Sequence, residues 1–124
     1  MKYLLFIGLG GAFGAVSRYL LSNWAHALWE GRWPVGTLLV NMLGSFLIGI
    51  VFVLIERQLI HPDWRSVLMV GFLGAFTTFS TFSVDSANLF QNGQGAAGIL
   101  NILSSNLLGI AFVFIGQSVA GGLN

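Results

Sequence analysis

Long apolar runs separated by short polar interruptions dominate the chain. They extend from Tyr3 to about Trp24, from Pro34 to Ile55, from Val67 to about Phe90, and from Ala96 to about Ala120. A helix needs about 20 mainly apolar residues to cross the hydrocarbon layer, and each run is of that order. "WEGRWP" separates the first pair and places Trp29 and Trp33 as interfacial anchors. "ERQLIHPDWR" separates the second pair and is the most charged of the interruptions, and "QNGQG" supplies the last turn. The pattern predicts an all-α membrane protein with four transmembrane helices, organised as a single domain over residues 1–124. The opening "MKYLLFIGLGGAFGA" has the outline of a secretory signal, with Lys2 as its charged part. Because further spans follow it instead of a soluble domain, it is read as the first membrane helix.

Polar side chains inside the runs are not scattered. In the second run Thr37, Asn41, Ser45 and Gly49 recur every four residues and form one stripe on a helix face. An amide at membrane depth is costly unless it finds partners. The stripe serves either as a helix–helix contact or as the lining of a water or ion path. The fourth run offers Asn101, Ser104, Ser105 and Asn106 at a similar depth, which tilts the balance toward a path.

The third run contains the densest polar stretch, "GAFTTFSTFSVD", residues 74–85. It crowds the hydroxyls of Thr77, Thr78, Ser80, Thr81 and Ser83 around Phe79 and Phe82. Glycine costs about 1 kcal/mol relative to alanine in a helix interior, so Gly71 and Gly74 weaken a continuous helix here. Hydroxyls can bond the backbone groups that an interruption frees. The stretch therefore predicts a third helix broken near Gly74 to Thr78. Such a break presents carbonyls to a cation and a new helix N-terminus to an anion. A hydroxyl-softened kink with no ligand is the plainer alternative. Beyond the break, Phe79 and Phe82 share a face, with Ser80 and Ser83 beside them. A phenyl ring carries partial positive charge at its edge, so ring edges and hydroxyls together can face an anion without a fixed cation.

Composition narrows the function. The chain is 56% hydrophobic and 7% charged, with mean hydropathy +0.85, against about a quarter charged residues in soluble domains. A net charge of +1 gives no basic patch for nucleic acid. The absence of cysteine removes disulfides, thiol nucleophiles and thiolate metal sites. His26 and His61 fall in or near loops with no HExxH pattern, which argues against an enzyme. "GLGGAFG" departs from a nucleotide loop because Phe13 stands where the third glycine belongs. Gly10 and Gly14 instead share a face with Arg18, at the spacing that lets helices approach closely in lipid.

"GFLGAFTTFSTFS" resembles the central signature of the Fluc (CrcB) fluoride channel family. "GGAFGAVSRYLL" and "PVGTLLVNMLGSFLIG" carry the resemblance through the first and second helices. It implies a fluoride-specific channel of the inner (plasma) membrane that exports fluoride from the cytoplasm down its gradient. The partners implied are fluoride, membrane lipid and a second copy of the chain, arranged as an antiparallel, dual-topology homodimer with two pores. Phe79 and Phe82 would line the fluoride path with ring edges, and Asn41 would donate its amide. Thr37, Ser80, Thr81 and Ser83 would complete the lining. Alignment on "NLLG" gives Asn106 the polar pore position of the fourth helix, with Ser105 as the neighbour in the adjacent register. Main-chain carbonyls of Gly74 and Thr77 from both subunits would hold a structural sodium ion, and Arg18 would stand near the aqueous vestibule.

The chain also departs from that pattern. Ala75 and Phe76 replace a glycine and a leucine common in the family, and Ile110 replaces a serine. Asp85, one helical turn beyond Phe82, sits awkwardly near an anion path and either caps, pairs with Arg18 or titrates. A small multidrug transporter shares the four helices and dual topology. It requires a carboxylate in its first helix, and residues 3–24 contain none.

Overall fold

The computed structural model describes residues 2–31 and 33–122; Arg32 of the first turn lies outside the described residues. Helix α1 runs Lys2–Leu28 and α2 Val35–Glu56. A π-wound segment, Arg65–Leu73, leads directly into the short α3, Gly74–Phe76. Helix α4 covers Phe79–Gln91 and α5 Gly95–Gly121. Together they make four helices long and apolar enough to cross a membrane, the third being the composite Arg65–Gln91. Of these, α1 and α5 have 27 residues each, about 40 Å at 1.5 Å per residue. That exceeds the roughly 30 Å of hydrocarbon, so these helices tilt or project from it.

The element ends follow local chemistry. Pro34 precedes α2 and lends its carbonyl to Leu38 N at 3.1 Å, while its missing N–H is one no helix start requires. Helix α4 ends at Asn92, after which Gly93 takes φ +76, a conformation in which a side chain would be strained. Helix α1 continues to Leu28, past the apolar limit at Trp24. Polar residues such as Asn23 and His26 do not stop a helix that is leaving the hydrocarbon.

Pairing of the spans rests on glycines. Helix α2 packs most extensively on α5, and α1 on the π-wound segment. A Cβ on Gly49 would strike the Val113 carbonyl oxygen, and one on Gly116 would strike that of Phe46. The α2 and α5 backbones therefore touch, the contact that small residues permit in lipid. On the other side, a Cβ on Gly10 would lie 2.6 Å from Val67 O, and one on Gly14 would strike Phe72 O. The spacing of Gly10 and Gly14 is a packing feature, as expected.

The buried core is thin. Val40, Leu73, Phe76, Leu89 and Ala120 are buried, whereas Leu4, Phe13, Tyr19, Leu107 and Phe114 face outward. So large an apolar exterior suits lipid rather than water.

The third span is bent. Leu73 and Gly74 keep helical dihedrals, but Thr77 (φ −90, ψ 158) and Thr78 (φ −146, ψ 115) are extended. The departure is therefore confined to the two threonines, and Gly74 itself remains helical. The π winding upstream was not foreseen. A wider i→i+5 turn has no composition signature of its own. Here it coincides with the face where Gly71 meets α1, a Cβ there lying 2.8 Å from Ile7 O.

Candidate functional site

At the bend, side chains replace the hydrogen bonds that the helix gives up. The Leu73 carbonyl receives both Thr77 N (3.1 Å) and Thr77 Oγ1 (3.0 Å). Thr78 Oγ1 accepts from Thr81 N at 3.1 Å and so caps the start of α4. Asn41 reaches across from α2 and grips Thr78 twice. Its Oδ1 accepts from Thr78 N at 2.8 Å, and its Nδ2 donates to Thr78 O at 3.0 Å. The amide that looked costly in the sequence is thus matched with the backbone most in need of it. Gly44, one turn along α2, leaves room for Thr77, whose methyl a Cβ would strike.

These bonds have a second effect. Thr78 N would close a helical turn onto Gly74 O, and Thr81 N onto Thr77 O, but both donors are committed elsewhere. The Gly74 and Thr77 carbonyls are released from helical bonding, and both residues reach the cavity beside the bend. An oxygen-only, neutral donor set of this kind fits a hard monovalent cation.

The cavity has a volume of about 330 Å³ and opens to one side of the subunit. Asn41, Ser45, Thr78, Phe79, Phe82 and Asn106 line it, with Ser105 beside Asn106. The rings of Phe79 and Phe82 lie 5.7 Å apart, inclined by 45°. Phe79 is 79% exposed in the single subunit. Among the described residues, no Lys, Arg, Asp or Glu lines it. Asn106 is exposed and donates back to Ile102 O at 2.7 Å.

Other candidates from the sequence sit elsewhere in the subunit. Ser80 and Thr81 lie on the exposed face of α4, and Ser83 Oγ donates to Phe79 O at 3.0 Å. Thr37, only 5% exposed, donates to Asp85 Oδ2 at 2.7 Å. Asp85 therefore neither caps a helix nor pairs with Arg18. The Arg18 Nε donates instead to Ala75 O at 2.9 Å, beside the bend. Ser86 was not anticipated. Buried Asn101 donates to Ser86 Oγ at 3.0 Å, and Ser86 donates to Phe82 O at 2.9 Å. This chain ties the backbone beneath Phe82 to α5. The Asn in "GILNILSS" was the available signal, but its partner is a matter of tertiary contact.

Four apolar spans, a bend held open by an amide, and an uncharged polar cavity at that bend define a small multi-pass membrane protein. The family described as CrcB-like protein, Camphor Resistance (CrcB), matches residues 5–117, and the chain belongs to that family. It is 49% identical over 118 residues to the fluoride-specific ion channel FluC of Magnetococcus marinus, covering 94% of this chain and 95% of the relative. The channel of the same name from Hahella chejuensis is 49% identical over 109 residues, covering 87% of this chain and 86% of the relative. That of Shewanella amazonensis is 44% identical over 119 residues, covering 96% of both.

Proposed function

We propose that this protein is a fluoride-specific ion channel of the inner membrane, through which fluoride leaves the cytoplasm down its electrochemical gradient. The observation that carries the reading is 49% identity to a fluoride-specific channel over 94% of the chain. The chemistry of the cavity supports it. Fluoride is small and tightly hydrated, so a dry path has to replace its waters with donors. Asn41 uses one amide N–H on Thr78 O and keeps the other. The polarised edges of Phe79 and Phe82 add weak donors. The absence of a fixed cation among the described lining residues keeps the ion from being trapped, and a conducting site must release as readily as it admits. Helix α1, Lys2–Leu28, contains no carboxylate, so the multidrug-transporter alternative lacks its coupling group.

The working unit in this reading is an antiparallel homodimer. Gly74, Phe79 and Asn106 are exposed on a surface that would otherwise meet lipid, and polar groups facing hydrocarbon are costly. A second copy covers them and turns two open clefts into two enclosed paths. Thr37, Ser80, Thr81, Ser83 and Ser105 extend the path in the assembled dimer, and Arg18 stands toward its aqueous mouth. The freed carbonyls of Gly74 and Thr77, contributed by both subunits, would hold a sodium ion. The carbonyls would supply the oxygen ligands and the bound ion a single positive charge, which together would hold the two bends in place.

The test is efflux from liposomes containing the purified protein and loaded with potassium fluoride or potassium chloride. Fluoride is expected to leave rapidly once a potassium ionophore is added, with chloride retained. Equal loss of both ions, or loss of neither, would overturn the reading.

A further inference from the structure

A second cavity, of about 250 Å³, lies at the opposite end of α4 and is separate from the bend. Pro34, Asp85, Asn88, Leu89, Asn92 and Gln94 line it, and it is partly open to the outside. Three features single it out. Gln94 Oε1 is buried and has no hydrogen-bond partner among the described residues. Asp85 uses Oδ2 to accept from Thr37, which leaves Oδ1 without a bond among those residues. No Lys, Arg or His among the described residues lines the space. A buried acceptor left unsatisfied is destabilising, and a carboxylate in a part-apolar wall calls for compensation.

We propose that this cavity binds a monovalent metal cation, held by Gln94 Oε1, the free oxygen of Asp85 and the amide oxygens of Asn88 and Asn92. The wall offers neutral carbonyl oxygens and one carboxylate. Divalent ions are usually held by more carboxylates than one, or by phosphates, so a single negative charge matches a single positive one. Water alone would satisfy Gln94 but leave the charge of Asp85 uncompensated beside Pro34 and Leu89. The site also gives the carboxylate a function beside an anion path. With a cation bound, the Thr37–Asp85 pair presents little net charge to an approaching anion. This last consequence rests on the channel reading, whereas cation binding does not.

The experiment compares the purified full chain with Gln94→Leu, by thermal unfolding in choline chloride and in rising sodium, potassium or rubidium chloride at constant ionic strength. The parent's Tm should rise saturably with the metal ion. In Gln94→Leu the apparent affinity of this response should fall by about tenfold or more. In choline chloride its Tm should equal or exceed the parent's, because the orphaned acceptor is gone. Crystals grown in a rubidium salt should show anomalous density against Gln94 and Asp85 that the variant lacks. A sodium ion at the bend would also stabilise the protein, but that contribution persists in Gln94→Leu. An identical cation response in both proteins, or ordered water alone in the cavity, would overturn the proposal. So would a parent that becomes cation-sensitive only as Arg32→Gln, since a protein guanidinium would then be the occupant. Fluoride efflux from the same preparations reports separately on the channel reading: loss of transport with an intact cation response leaves this site standing.

Discussion

Phe79 presents most of its ring to the outside of the subunit, and Phe82 lies beside it at the cavity wall. Were these rings only packing, replacement by an aliphatic side chain of similar bulk would cost less than about 1.5 kcal/mol and leave transport near normal. If the ring edges meet the ion, the same change deletes the polarised C–H groups while keeping most of the volume. Phe79→Ile and Phe82→Ile are expected to fold and run as dimers on gel filtration, yet lose most fluoride efflux from proteoliposomes. Normal efflux from both variants would return the pair to a packing role. Asn41→Leu should fail differently. It strips the partner from Thr78 N, at about 1–3 kcal/mol for a buried donor left unsatisfied, and removes the amide's bond to Thr78 O. Its signature is a lowered Tm in detergent before any question of transport arises. Period explains what was readable here. The Asn41 stripe could be seen because residues four apart share a face, but the sequence could not say that Thr78 is what the stripe meets. The same geometry divides the hydroxyl run. Successive helical residues point about 100° apart, given 3.6 per turn. Ser80, Thr81 and Ser83 cannot all share the cavity with Phe79 and Phe82 in one subunit.

Spans were legible because unbroken runs of about 20 apolar residues seldom occur outside a membrane helix. An interruption was legible because glycine and hydroxyl residues are poor material for a lipid-facing helix, but where a break near Gly74 to Thr78 was expected the span is bent: Gly74 is helical and the two threonines carry the departure. The winding of Arg65–Leu73 was not legible, since it has no composition signature of its own; it coincides with the close packing of that segment on α1. Glycine substitutions separate the contacts at this scale. Gly14→Val puts a side chain into Phe72 O. Backbone cannot move aside as a flexible side chain does, so the change should cost at least about 1–3 kcal/mol, as overpacking does, and reduce the yield of dimer. Gly8→Ala, where a Cβ meets nothing within 4 Å, should equal or exceed the parent in Tm. Equal behaviour of the two variants would contradict the close α1 contact described above.

With four spans, both termini and the central loop share one side of the membrane. That side carries Lys2, Arg57 and Arg65, and the other carries Arg32. Arg18 adds little to either, because it is turned inward to Ala75 O. Orientation follows the Lys and Arg bias of short loops, and this bias is weak. Reporter fusions at the C-terminus are therefore expected to show both orientations in comparable amounts, as an antiparallel pair requires. A strongly one-sided result would remove the symmetric arrangement, and with it the shared carbonyl site for sodium.

The grip of Asn41 on Thr78 also bears on how the chain enters the membrane. A third span released alone into lipid would carry the naked N–H of Thr78 into hydrocarbon, where an unsatisfied group costs several kcal/mol. Helix α2 is synthesised first and brings the matching amide with it. The second and third spans therefore gain by partitioning as a hairpin, and biogenesis acquires an order that hydropathy alone does not impose.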